Sequence, residues 1–82
     1  LVGKVGDDSY GRILTESLKR DGVMVSGVGK SNDKPTGTAV VVRDHRGENQ
    51  IIVLSGANAE VMNDQVPDEV LTPDNILMMQ ME

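Results

Sequence analysis

The chain contains no cysteine, tryptophan or phenylalanine, and its single aromatic residue is Tyr10. Without cysteine it can form neither a disulfide nor a thiolate metal site, a usage that suits a reducing, cytoplasmic setting. With one ring in 82 residues, apolar burial must come from Val, Ile, Leu and Met, which each remove less surface from water than an aromatic side chain. There is one histidine, His45, and no second one to complete a metal site. No hydroxyl residue has a His and an acid placed as in a nucleophilic triad. Positive charge is also scarce: eight Lys and Arg stand against thirteen Asp and Glu, for a net charge of −5. The basic residues are scattered singly apart from Lys19 and Arg20. That argues against a nucleic acid partner, which needs clustered cations. No apolar run approaches the roughly 20 residues of a membrane-spanning helix, so no membrane partner is expected. The opening LVGKVGDDSY lacks the layout of a secretion signal and does not start with Met. So small and ring-poor a chain makes a marginal core. It is expected to be an internal segment of something larger.

What is present has clear local patterning. LVGKV reads as the end of a buried strand that stops at Gly6. Asp7, Asp8 and Ser9 follow, residue types that cap helix N-termini. From Ser9 to Asp21 the spacing of Tyr10, Leu14 and Leu18, widened by Ile13, predicts an amphipathic helix. Arg12, Glu16 and Arg20 alternate in sign on its wet side, and Gly22 supplies the stop. Strand, acidic turn and helix make half of a βαβ unit. VMVSGV reads as a short strand and KSNDKPTG as a loop. GKVGDD, GVGK and SGAN contain no Walker order and no G-x-G-x-x-G, so each reads as a tight turn.

Residues 35–58 hold two apolar runs, TAVVV and IIVL, split by RDHRGENQ. Taking His45, Arg46 and Gly47 as a three-residue loop closed by a G1 bulge pairs Val41 with Ile51 and Ala39 with Val53. One face of that hairpin carries Gly37, Ala39, Val41, Ile51 and Val53. The other carries Thr38, Val40, Val42, Ile52 and Leu54. Both are apolar, and each requires a cover: the chain's own core, a partner chain or a ligand. Beyond it, SGANAE reads as a turn and residues 59–72 as a loose helical segment. NILMMQME is a near-continuous apolar run of the kind found in central parallel strands. It closes on Glu82, at the strand edge where α/β sheets bind ligands. A plain surface glutamate remains an equal reading at this point, whereas Asp7 and Asp8 read as helix caps and His45 as a solvated turn residue.

Taken together, VGKVGDDSYG, PTGTAVVV, GENQIIVLSGAN and ILMMQME, in this order and at these distances, resemble the ribokinase-like sugar kinases of the PfkB carbohydrate-kinase family. The resemblance covers nearly the whole chain. It implies an α/β fold, part of a three-layer ribokinase-like sheet, with a projecting β-hairpin lid that closes on a sugar. Residues 1–34 would belong to the α/β core, 35–58 to the lid, and 59–82 to the core again, ending in a central strand. It implies ATP-dependent phosphoryl transfer to the 5-hydroxyl of D-ribose by the intact enzyme. Fructokinase or 2-keto-3-deoxygluconate kinase activity is the alternative within the family, and a non-enzymatic β-rich dimerisation module the alternative outside it. Ala39, Val41 and Val53 would face the sugar, and Glu82 would hydrogen-bond a sugar hydroxyl. The intact enzyme would use ATP, Mg2+ and the monovalent cation K+, and would form a homodimer through its lids. This segment alone would hold no cofactor and no metal, because the family's anion hole, general base and magnesium-linked element have no counterpart in it.

Overall fold

The computed structural model describes residues 1–80. It opens with strand β1 (Val2–Gly6), helix α1 (Ser9–Arg20) and strand β2 (Gly27–Ser31), then the strands β3 (Thr38–Arg43) and β4 (Asn49–Leu54). Three short 3-10 helices follow, at Gly56–Glu60, Asn63–Gln65 and Asp68–Val70. β1 pairs in parallel with β2, from Val2 opposite Gly27 to Gly6 opposite Ser31, so α1 is the crossover of a complete βαβ unit. β3 and β4 form a separate antiparallel hairpin.

The helix begins and ends for reasons visible in its sequence. Asp8 is the N-cap in extended backbone, and its Oδ1 accepts the Gly11 N–H at 2.8 Å. At the other end the Val23 N–H bonds the Leu18 carbonyl and the Gly22 N–H bonds the Lys19 carbonyl, both at 3.0 Å. That is a Schellman closure with glycine just past the cap. Glu16 pairs with Lys19 at 3.1 Å, while Arg12 turns to Asp7 at 3.8 Å, so the alternating series on the wet side is not the pairing adopted. Tyr10, Ile13 and Leu14 remain exposed.

Two expectations shift. GVGK is no tight turn: it forms most of β2, and Ser31, read as loop, completes that strand. VMVSGV mostly precedes it. A parallel strand gets its ladder from a distant partner rather than from its own neighbours, so its place is invisible in local pattern. The second concerns residues 76–80, where a central strand was expected. They join no sheet, and Ile76 and Met78 are almost fully exposed. The parallel sheet among the described residues consists of β1 and β2, and an apolar run with no neighbouring strand has no ladder to join. No helix among the described residues is long and apolar enough to cross a membrane.

Candidate functional site

The hairpin has the expected register. Ala39 stands opposite Val53, and Val41 opposite Ile51. Directly opposed residues of an antiparallel pair project to one face, so Ala39, Val41, Ile51 and Val53 share a side. Val40 and Ile52 share the other side with Thr38 and Leu54. The tip is the three-residue loop. The Asp44 N–H bonds the Glu48 carbonyl at 3.0 Å, and the Gly47 N–H returns to the Asp44 carbonyl at 3.1 Å. Gly47 takes φ +85°, a left-handed conformation that costs glycine little and other residues more. The Asp44 carboxylate accepts the N–H groups of Arg46 and Glu48 at 2.8 and 2.9 Å. His45 sits in this exposed turn. Every residue of β3 and β4 is exposed, so both apolar faces are open.

The stem of the hairpin is built very differently. Thr36 is 6 % exposed. Its N–H donates to Asp8 Oδ2 at 2.8 Å and its hydroxyl to Asp8 Oδ1 at 2.6 Å. The same hydroxyl oxygen accepts the Gly6 N–H at 3.0 Å. One carboxylate therefore joins the end of β1, the start of α1 and the entrance of β3. The joint admits no bulk: a Cβ on Gly6 would lie 2.5 Å from the Thr36 nitrogen, and one on Gly11 would collide with the Gly6 carbonyl. Three donors converge on Asp8, the Thr36 hydroxyl foremost, then the N–H groups of Thr36 and Gly11. They hold its carboxyl down to about 2.

A second joint lies beside it. The Ser31 hydroxyl, itself 3 % exposed, chiefly holds the Glu60 carboxyl below its ordinary range, helped by Lys4 and Lys34 against the opposing effect of burial. Lys4 reaches Glu60 at 3.7 Å. Gln65 donates to the Gly3 carbonyl at 3.0 Å. These contacts fasten the 3-10 segments to the βαβ unit. An open cleft of about 520 Å³ separates the start of α1 from the hairpin stem, lined among others by Tyr10, Lys34, Thr38 and Leu54.

Of the residues expected at a site, the structure brings Ala39, Val41 and Val53 onto one face, while Glu82 lies outside the described residues. Thr36 was missed. Its only local signal is its place between Pro35 and Gly37, and the residue that gives it a role stands 28 positions earlier.

The family model for pfkB family carbohydrate kinases matches residues 1–81. The chain belongs to this family of carbohydrate kinases. Among similar PfkB-family proteins, a ribokinase from Schizosaccharomyces pombe is 38% identical over the whole of this chain and 26% of its own length. A ribokinase from Arabidopsis thaliana, solved with ribose and ATP, superposes with a TM-score of 0.64 at 42% identity, over 70% of this chain and 19% of that one. An E. coli structure in complex with ATP and Mg2+ superposes at 0.74 and 26% identity, over 85% of this chain and 22% of that one. The chain thus spans about a quarter of the length of such relatives. Its α/β unit and hairpin are a piece of the ribokinase fold.

A magnesium ion needs several hard oxygen ligands close together. Among the described residues no three His, Cys, Asp or Glu side chains are grouped to hold a metal. Asp8 already has both oxygens committed to Thr36 and Gly11. The described part of this PfkB-family chain does not fit a Mg2+ site.

Proposed function

We propose that the full-length protein is a ribokinase, transferring the γ-phosphoryl group of ATP to the 5-hydroxyl of D-ribose. In that transfer the ribose oxygen forms the new P–O bond, the bond to ADP breaks, and the hydroxyl proton leaves to a general base outside this segment. Residues 35–58 act as the lid, between core portions 1–34 and 59–82. Ala39, Val41 and Val53 cover the apolar side of the sugar and exclude water from the transfer, which would otherwise be open to hydrolysis. Glu82 accepts a hydrogen bond from a sugar hydroxyl and fixes the sugar's orientation. The opposite face of the hairpin meets the lid of a second copy, giving a homodimer. ATP, Mg2+ and K+ serve the intact cytoplasmic enzyme.

The observation that supports this most is the hairpin register, which gathers the three small apolar residues on one open face. Family membership favours a kinase over a bare dimerisation module. The test is kinetic, on the full-length protein with ribose, fructose and 2-keto-3-deoxygluconate. Ribose is the expected substrate with the highest kcat/KM. Glu82→Ala should raise the KM for ribose about tenfold or more, the size of a lost charge-assisted hydrogen bond, and leave that for ATP nearly unchanged. Equal effects on both constants would remove Glu82 from the sugar site. A clear preference for another sugar would replace ribose.

A further inference from the structure

Among the described residues, the hairpin is attached through its stems. Each residue from Thr38 to Leu54 is exposed, so no packing against the βαβ unit sets its angle. What remains is the short joint where the chain enters and leaves. There the Ala57 N–H crosses to the Pro35 carbonyl at 2.8 Å, tying the two stems to each other. The tie from the entering stem to the end of β1 and the start of α1 runs through Asp8.

We propose that Asp8 is a positioning residue for the lid, its carboxylate gripping Thr36 by both main chain and hydroxyl and so setting the pose in which the hairpin meets substrate. The inference rests on reading the hairpin as a lid. A helix cap alone would need one oxygen of Asp8, and Oδ1 serves Gly11 for that purpose. Oδ2 instead reaches 28 residues along the chain, to a backbone N–H at 2.8 Å. The Thr36 hydroxyl passes the restraint on to the Gly6 N–H. A cap does not require this second half of the geometry, and a lid hinge does.

The two roles separate chemically. Asparagine caps helices as well as aspartate does. In Asp8→Asn, with the oxygen kept towards Gly11, the amide nitrogen would face the Thr36 N–H, donor against donor. Thr36→Val removes the hydroxyl at nearly constant volume, and Thr36→Ser restores it.

The experiment uses the full-length protein with spin labels at Glu16→Cys, on the exposed side of α1, and His45→Cys, at the hairpin tip. Pulsed dipolar spectroscopy gives the distance distribution between them. Asp8→Asn and Thr36→Val should each broaden or shift the distribution, and Thr36→Ser should resemble the parent. In the unlabelled enzyme the same two variants should raise the sugar KM about tenfold, the loss of one hydrogen bond to a charged group, while the ATP KM stays within about twofold. The double variant should cost less than the two single ones added together, since both loosen the same Asp8–Thr36 joint. Unchanged distances in folded Asp8→Asn and Thr36→Val proteins would overturn the proposal, as would loss of folding in both. The label distances do not depend on which sugar is phosphorylated. A failed ribokinase assay with altered distances would therefore sink the substrate assignment and spare the latch.

Discussion

Asp8 shows at the scale of one residue how much of a role is local. Its capping function was readable from position, because a cap bonds the backbone three residues on. Its bond to Thr36 was not, because nothing in nearby sequence reports a partner 28 residues away. The same holds for Ser31 and Glu60, each unremarkable alone and joined only by the fold. The Asp8 contacts carry a pH signature. A carboxyl held at about 2 in the folded state, below its ordinary 3.8, stabilises the fold fully above the ordinary value. That contribution fades as pH falls from about 4 to about 2, where the folded carboxyl takes up its proton. Asp8→Asn lacks the titrating group. The gap in melting temperature between parent and Asp8→Asn should therefore be open at pH 6 and narrow steadily below pH 4. A gap constant from pH 6 to pH 2 would show that the three hydrogen bonds do not favour the ionised form.

Among the elements, those governed by short-range rules were the legible ones. α1 is set by its apolar stripe, its acidic cap and Gly22. The hairpin is set by two short apolar runs and a glycine in the place a three-residue loop demands. β2 was misplaced by a few residues, and the run before Glu82 was read as a strand because its composition suits one. Both depend on which strand lies alongside, and pairing partners are not written in a strand's own residues. The hairpin's two faces allow a paired test of function with one chemical change. Val53 and Ile52 are neighbours in sequence and point to opposite sides. Val53→Ser should raise the ribose KM by several-fold to tenfold, since methylene-scale contacts in an apolar pocket are worth roughly 1–3 kcal/mol, with the oligomeric state unchanged. Ile52→Ser should leave the sugar constant nearly untouched and weaken the dimer, as read by sedimentation. Interchanged outcomes would mean that the faces are assigned backwards.

At the scale of the whole molecule, burial is located at joints rather than in a core. Gly6, Gly11, Ser31, Thr36 and Ala57 are the buried residues among those described, and of these Ala57 alone counts as apolar core. The radius of gyration is 15.3 Å, against about 12 Å for a close-packed chain of this length. The difference has identifiable sources: a hairpin with two open faces, a helix with an exposed apolar stripe, and the run at 76–80. Stability in small domains comes chiefly from apolar burial, and here most large apolar side chains remain exposed over a third or more of their surface. The 82-residue chain expressed by itself should therefore bind a hydrophobic dye such as ANS and give poorly dispersed amide resonances and a broad thermal transition. The full-length protein should bind little dye and melt cooperatively, because its remaining elements would cover the helix stripe and residues 76–80. Sharp melting of the short chain without dye binding would mean that its hydrogen-bonded joints suffice to hold the fold, and that the open faces are tolerated rather than awaiting a cover.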